Sequence, residues 1–141
     1  MDSIVTALYD VISGPVGQAR DWDRFRNLFW DGAPIQIIGP RKDGGFGMRN
    51  LSLDDYITHS GPVLIENGFT EREIYRRTQQ WGQMAQIFST YEGHMAKTDM
   101  TVRGINSIQL MHDGSRWWVV SILFEAERND LPLDPTYLPK H

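Results

Sequence analysis

The chain has no cysteine among its 141 residues. A disulfide framework and thiolate chemistry are therefore excluded. It has no dense run of Lys and Arg, and its net charge is −4, so a nucleic-acid surface is not expected. The short groups Arg20/Arg24/Arg26 and Arg72/Arg76/Arg77 lie among acids and read as solvated faces. No apolar run approaches the length of a membrane span. The opening "MDSIVTALYDVI" has no basic start and is interrupted by Asp2 and Asp10, which does not read as a signal peptide. A cytoplasmic protein without a membrane partner is the expectation. His59, His94, His112 and His141 lack ligand spacing, so no metal site is expected. "RKDGGFG" is rich in glycine but lacks the strand-to-helix context of a phosphate loop, and reads as a turn. No serine sits in a nucleophile elbow, and there are no internal repeats. No cofactor is expected.

What is present is a folding chain. Hydrophobic residues make up 40%, with five Trp, enough for one domain with a real core. Ile4, Ala7, Leu8, Val11 and Ile12 form a helical stripe that Ser3 can cap and Gly14-Pro15 ends. Asp21 opens a second helix with Trp22, Phe25, Leu28 and Phe29 on its apolar side. "PIQII" is a short strand. Ser52 and Asp55 have capping-box spacing for a third helix, which Pro62 is expected to break or restart. After Gly68 four extended runs follow, roughly 69–81, 84–96, 102–112 and 116–127. Asp113-Gly114 marks the last hairpin. Helices first and a long meander second make an α+β domain over 1–128. Residues 129–141 hold three prolines and read as an extended arm.

The last strand, "SRWWVVSILFEAE", hardly alternates. Strict alternation puts Trp117, Val119 and Leu123 on one face, and Trp118, Val120, Ile122 and Phe124 on the other. The helices can cover only one face. A second subunit over Trp117, Val119 and Leu123 is the economical cover for the other, which predicts a two-fold homodimer. The alternative is that the arm folds back over that face. Continuing the parity inward gives Ile87, Ser89 and Tyr91, then Arg103, Ile105, Ser107, Gln109 and Met111. That mixture of apolar and polar groups suits a pocket under the helices.

The order of elements resembles the nuclear transport factor two-like, or SnoaL-like, superfamily. The resemblance is carried by "IVTALYDVIS", "DWDRFRNLFWDGAPI", "LSLDDYI", "FTEREIYRR", "AQIFSTYE" and "GINSIQLMHDGSRWWVVSILFEAE". It implies a cone-shaped, curved, antiparallel or mixed sheet packed on three N-terminal helices, a cystatin-like roll. It also implies a dimer and a cavity between helices and sheet. Ketosteroid isomerases of this superfamily would place a Tyr where Tyr9 stands. Their base would fall within Gln36 to Gly39, where no carboxylate is present, and their second Asp at Ser107. One role of three survives, so that isomerase chemistry is not expected. The dehydratase and hydrolase patterns need an inward Asp, and parity supplies only Arg103.

The expectation is a domain that binds a small, partly apolar organic molecule. Tyr9, Tyr56, His59, Ser89, Tyr91, Arg103, Ser107 and Gln109 are its polar candidates, and Trp118, Ile122 and Phe124 its floor. The runner-up is a cofactor-independent isomerase, lyase or hydrolase of polyketide-like or aromatic substrates, with His59 or Tyr9 as acid–base group. The third reading is a dimerisation module with a filled core.

Overall fold

The computed structural model describes residues 1–140; His141, the end of the arm, lies outside the described residues. Helix α1 (Asp2–Ile12) buries Ile4, Val5, Leu8, Tyr9 and Val11, the stripe its periodicity indicates. It begins one residue before the expected Ser3 cap. Helix α2 (Trp22–Arg26) starts where the Asp21 side chain accepts from the Arg24 N–H. It is shorter than its apolar spacing suggests. After Arg26 the chain straightens, and Val119 exchanges backbone bonds with Leu28 and Trp30 at 2.9 and 2.8 Å. Helix α3 (Leu53–Asn67) opens on a complete Ser52/Asp55 capping box. It runs unbroken through Pro62. The carbonyl that Pro62 leaves without a donor belongs to exposed Thr58, where water can satisfy it.

Six strands form one mixed sheet in the order β2-β1-β6-β5-β4-β3. They are β1 (Ile35–Pro40), β2 (Phe46–Leu51), β3 (Phe69–Trp81), β4 (Met84–Met95), β5 (Met100–His112) and β6 (Trp117–Ala126). Among the described strands, only the β1–β6 pair is parallel. The four long runs read from the sequence are all strands. Strand β2 has no counterpart in the sequence reading: "FGMRNL" is a short exposed edge whose apolar alternation stops at Phe46 and Met48.

Residues paired directly across strands share a face. Ser89 pairs with Asn106 and Ile87 with Ile108, so the inner face of β5 carries Asn106, Ile108 and Leu110. Arg103, Ile105, Ser107, Gln109 and Met111 therefore lie on the outer face, opposite to the expected parity. In β6 the pairing jumps from Gln109–Ser121 to Leu110–Val119, leaving Val120 as an extra residue. This bulge reverses the parity of the strand midway. Val119 is core, 1% exposed, and Trp117 packs against that core. Neither belongs to the outer face, where only Leu123 of the expected trio remains. Trp118 faces outward against Trp30 rather than forming a cavity floor. Ile122 and Phe124, beyond the bulge, face inward as expected.

Arg20 is buried rather than solvated. Its guanidinium donates to the carbonyls of Ile12, Gly14, Gln18 and Leu64. It thereby ties the C-terminal turns of α1 and α3 to the loop between α1 and α2, where carbonyls lack helical partners. The arm returns over part of the outer face. The Tyr137 carbonyl accepts from Thr90 Oγ1 at 2.7 Å, and its ring packs on Phe88. Among the described residues, no helix is long and apolar enough to cross a membrane.

Candidate functional site

The helices do not seal the inner face of the sheet. A cavity of about 410 Å³ remains between them. Leu8, Tyr9 and Ile12 of α1, Phe25 of α2, and Tyr56, His59 and Leu64 of α3 form its roof. Ile35, Phe69, Glu71, Tyr91, Asn106, Ile122 and Phe124 form its floor. The walls are mostly apolar because both layers turn their hydrophobic stripes toward each other. A wider hollow of about 590 Å³ lies outside, where Trp30 meets Trp118.

Glu71 is the residue the sequence reading missed. It stands two places after Phe69 on β3, on the same inward parity. Its neighbours Arg72 and Glu73 made it look like part of a solvated charge run. Its one side-chain hydrogen bond among the described residues comes from Asn106 Nδ2, at a long 3.5 Å. Burial pushes the carboxyl up to about 7 from its ordinary 4.5, and the Asn106 bond opposes that only in part.

Three tyrosines ring this carboxyl. Burial, together with the Glu71 charge, raises the phenols of Tyr56 and Tyr91 far above their ordinary range, so both stay protonated. Neither hydroxyl has a hydrogen-bond partner among the described residues. Tyr91 reaches across the floor because Gly104 has no side chain. A Cβ there would run into the Tyr91 hydroxyl and the Glu125 carbonyl. Tyr9 differs. Its hydroxyl lies 2.6 Å from Ser89 Oγ and accepts from Asn106 Nδ2 at 3.0 Å. Ser89 in turn donates to Glu73, which holds Arg76 through both carboxylate oxygens.

The structure thus brings Tyr9, Tyr56, His59, Tyr91, Ile122 and Phe124 to one cavity. His59 and Arg49 are exposed residues on its rim. Ser89 sits behind Tyr9 rather than on the cavity surface. Arg103, Ser107, Gln109 and Trp118 are elsewhere. Arg103 is not an inward cation awaiting an anion: its Nε and Nη2 both meet Glu127 at 3.1 Å. Its face follows from the β4–β5 register. The pattern carried the right signal, since Val102, Ile108 and Leu110 share the other parity.

No family model and no curated protein matches the chain. Solved structures do. A protein of unknown function with a cystatin-like fold from Nostoc punctiforme superposes with a TM-score of 0.67 at 8% identity, covering 91% of this chain and 89% of the other. A proposed dehydratase from the NTF2-like family of Streptomyces avermitilis gives 0.63 at 12% identity, with 88% and 91% covered. A proposed ketosteroid isomerase from Shewanella frigidimarina gives 0.60 at 13% identity, with 86% and 91% covered. At these identities the likeness is one of fold. The chain has the cystatin-like α+β fold of the NTF2-like proteins.

Proposed function

We propose that the chain binds a small, partly apolar organic molecule in the cavity between helices and sheet. One observation carries the reading: Glu71, Tyr56 and Tyr91 present incompletely partnered polar groups to a cavity of about 410 Å³ with otherwise apolar walls. Ligand sites commonly span about 300–1,000 Å³ and combine an apolar lining with a few convergent polar groups. A carboxyl drawn half out of water with one long hydrogen bond costs stability, and a ligand that bonds to it would offset that cost. A core filled by its own side chains would leave no such space.

The second reading is a cofactor-independent acid–base enzyme, an isomerase, lyase or hydrolase of aromatic or polyketide-like substrates. Glu71 favours it, because a carboxyl that titrates near neutrality can both take and give a proton. In that reading Glu71 replaces His59 and Tyr9 as the acid–base group. Tyr9 is already engaged by Ser89 and Asn106, and His59 stands at the rim.

We also propose a two-fold dimer joined through the outer sheet face. Phe46, Met48, Ile38, Leu123, Ile105, Phe88 and Met84 form an apolar band across that face by their pairing. Phe46 is 55% exposed and Met84 61% exposed.

Native mass spectrometry of freshly purified protein, followed by denaturing analysis of what it releases, tests the reading. A stoichiometric organic adduct that Tyr91→Trp displaces supports the cavity as the site. An adduct unaffected by that substitution, or a protein that no small organic molecule stabilises, overturns it. Turnover lost in Glu71→Gln while binding persists would establish the enzymatic reading.

A further inference from the structure

Glu71 is a half-buried carboxyl that, among the described residues, makes no ion pair. The arginines closest along its own strand are committed elsewhere: Arg72 to Glu92 at 2.8 Å, and Arg76 to Glu73 at 2.8 Å and to Asp2. The groups that face it across the cavity are Tyr9 from α1, Tyr56 and His59 from α3, Tyr91 from β4 and Asn106 from β5. Strand β6 adds only Ile122 and Phe124. Among the described residues, Arg49 of β2 is the one permanent cation on the lining, and it is exposed at the rim with no bond to Glu71.

Resting on the ligand-binding reading above, we propose that the ligand carries a protonated amine, which pairs with the Glu71 carboxylate while its apolar body fills the rest of the cavity. A primary ammonium has three donors and no acceptor. Glu71 and the oxygens of Tyr56 and Tyr91 offer acceptors, and aromatic rings around a cation add further attraction. A neutral alcohol could occupy the same space, but it gains no charge-assisted hydrogen bond. A carboxylate ligand would set a like charge beside Glu71 in a site of low dielectric. An exposed Arg49 is too well screened to reverse that preference.

The pairing has a signature in protons. Between about pH 6 and pH 7 much of the unliganded Glu71 is protonated. An ammonium ligand binds the ionised form, so binding expels a proton. The tyrosines facing Glu71 stay neutral and do not supply this signal, and Glu71→Gln tells whether the proton comes from Glu71.

The test is calorimetric titration of the full chain with three compounds of similar shape: phenethylamine, phenethyl alcohol and hydrocinnamate. At about pH 8 the amine is expected to bind at least about tenfold tighter than the alcohol. Near pH 6.5, titrations in buffers of different ionisation enthalpy should show release of a fraction of a proton with the amine and none with the alcohol. Glu71→Gln should bring the amine down to the alcohol's affinity and abolish proton release. The proton count needs only the unaltered chain, so the test survives a variant that fails to fold. Equal affinities for amine and alcohol, or tighter binding of hydrocinnamate, overturn the amine assignment and leave the cavity reading standing. Failure of all three to bind overturns the amine assignment, and together with a purified protein that releases no organic adduct it overturns the cavity reading as well.

Discussion

Tyr9 Oη lies 2.6 Å from Ser89 Oγ, which fastens α1 to the middle of β4. Ser89 gives its proton to Glu73, so the tyrosine donates to Ser89 and accepts from Asn106. Both bonding directions of the hydroxyl are thereby used inside the protein. Tyr9→Phe leaves the Asn106 amide with only its long bond to Glu71 and takes from Ser89 its donor, leaving it Glu73 alone. Leaving buried polar groups unmade costs about 1–3 kcal/mol. Urea unfolding is expected to show a loss of that size, with the affinity for a cavity ligand changed little. A Tyr9→Phe protein of unchanged stability that no longer binds would move Tyr9 from the frame to the site.

Glu71 sets a pH dependence with a definite sign. Its carboxyl titrates at about 7 in the folded chain against 4.5 ordinarily. From about pH 4.5 to pH 7 the unfolded chain has therefore lost a proton that the folded chain keeps. Stability then falls as pH rises through this window and levels off above about pH 7. At about 1.4 kcal/mol for each tenfold change in ionisation constant, the fall is about 3 kcal/mol. Other carboxylates contribute their own slopes, so the measurement is the difference between the unaltered chain and Glu71→Gln. That difference is expected to grow in favour of Glu71→Gln from pH 4.5 to pH 7. A flat difference would mean that the carboxyl is solvated in solution.

The sheet's long strands were legible because each is an extended run bounded by Gly, Asp-Gly or a short polar turn. The cavity was legible in part. Tyr56, His59 and Tyr91 follow from helical and strand periodicity alone. The errors have two physical sources. One is the bulge at Val120, which reverses the faces of Trp117, Val119 and Trp118 and depends on Val119 bonding to Leu28 and Trp30. No local pattern announces such a tertiary contact. The other is register. Choosing the mixed parity of β5 as a pocket put Arg103, Ser107 and Gln109 inside, although Ile108 and Leu110 argued for the opposite face. Glu71 stayed hidden for a third reason: a cavity-facing charge in a charged run looks the same as a solvated one until its strand is placed.

Gly104 governs where Tyr91 lies. Gly104→Ala would push a methyl group into the Tyr91 hydroxyl and into the Glu125 carbonyl, which belongs to the sheet backbone and gives little. Overpacking of this kind costs about 1–3 kcal/mol. Removing the hydroxyl in Tyr91→Phe frees part of that space. The double variant is therefore expected to be less destabilised than the sum of the two single ones, a coupling that a double-mutant cycle of urea midpoints reads directly. Simple additivity would show that the Glu125 carbonyl alone sets the cost.

The proposed dimer is tested by comparing the two faces of the same strand. Leu123 lies on the outer face with Phe88 and Ile105, whereas Val119, four residues earlier, is core and 1% exposed. Leu123→Asp or Phe88→Asp places a charge on the outer band, where a solvated monomer tolerates it and a buried interface does not. Sedimentation equilibrium is expected to show the unaltered chain as a dimer and both variants as monomers with native circular dichroism. Val119→Asp buries an unpaired charge in the core and is expected to unfold the chain altogether. Trp81, 81% exposed at the end of β3, offers a finer reading. If the interface reaches that end of the sheet, its fluorescence shifts to the blue on dimerisation in a protein whose other four Trp are replaced. An unaltered chain that sediments as a monomer would leave the arm, through Leu131 and Tyr137, as the main cover of the outer face.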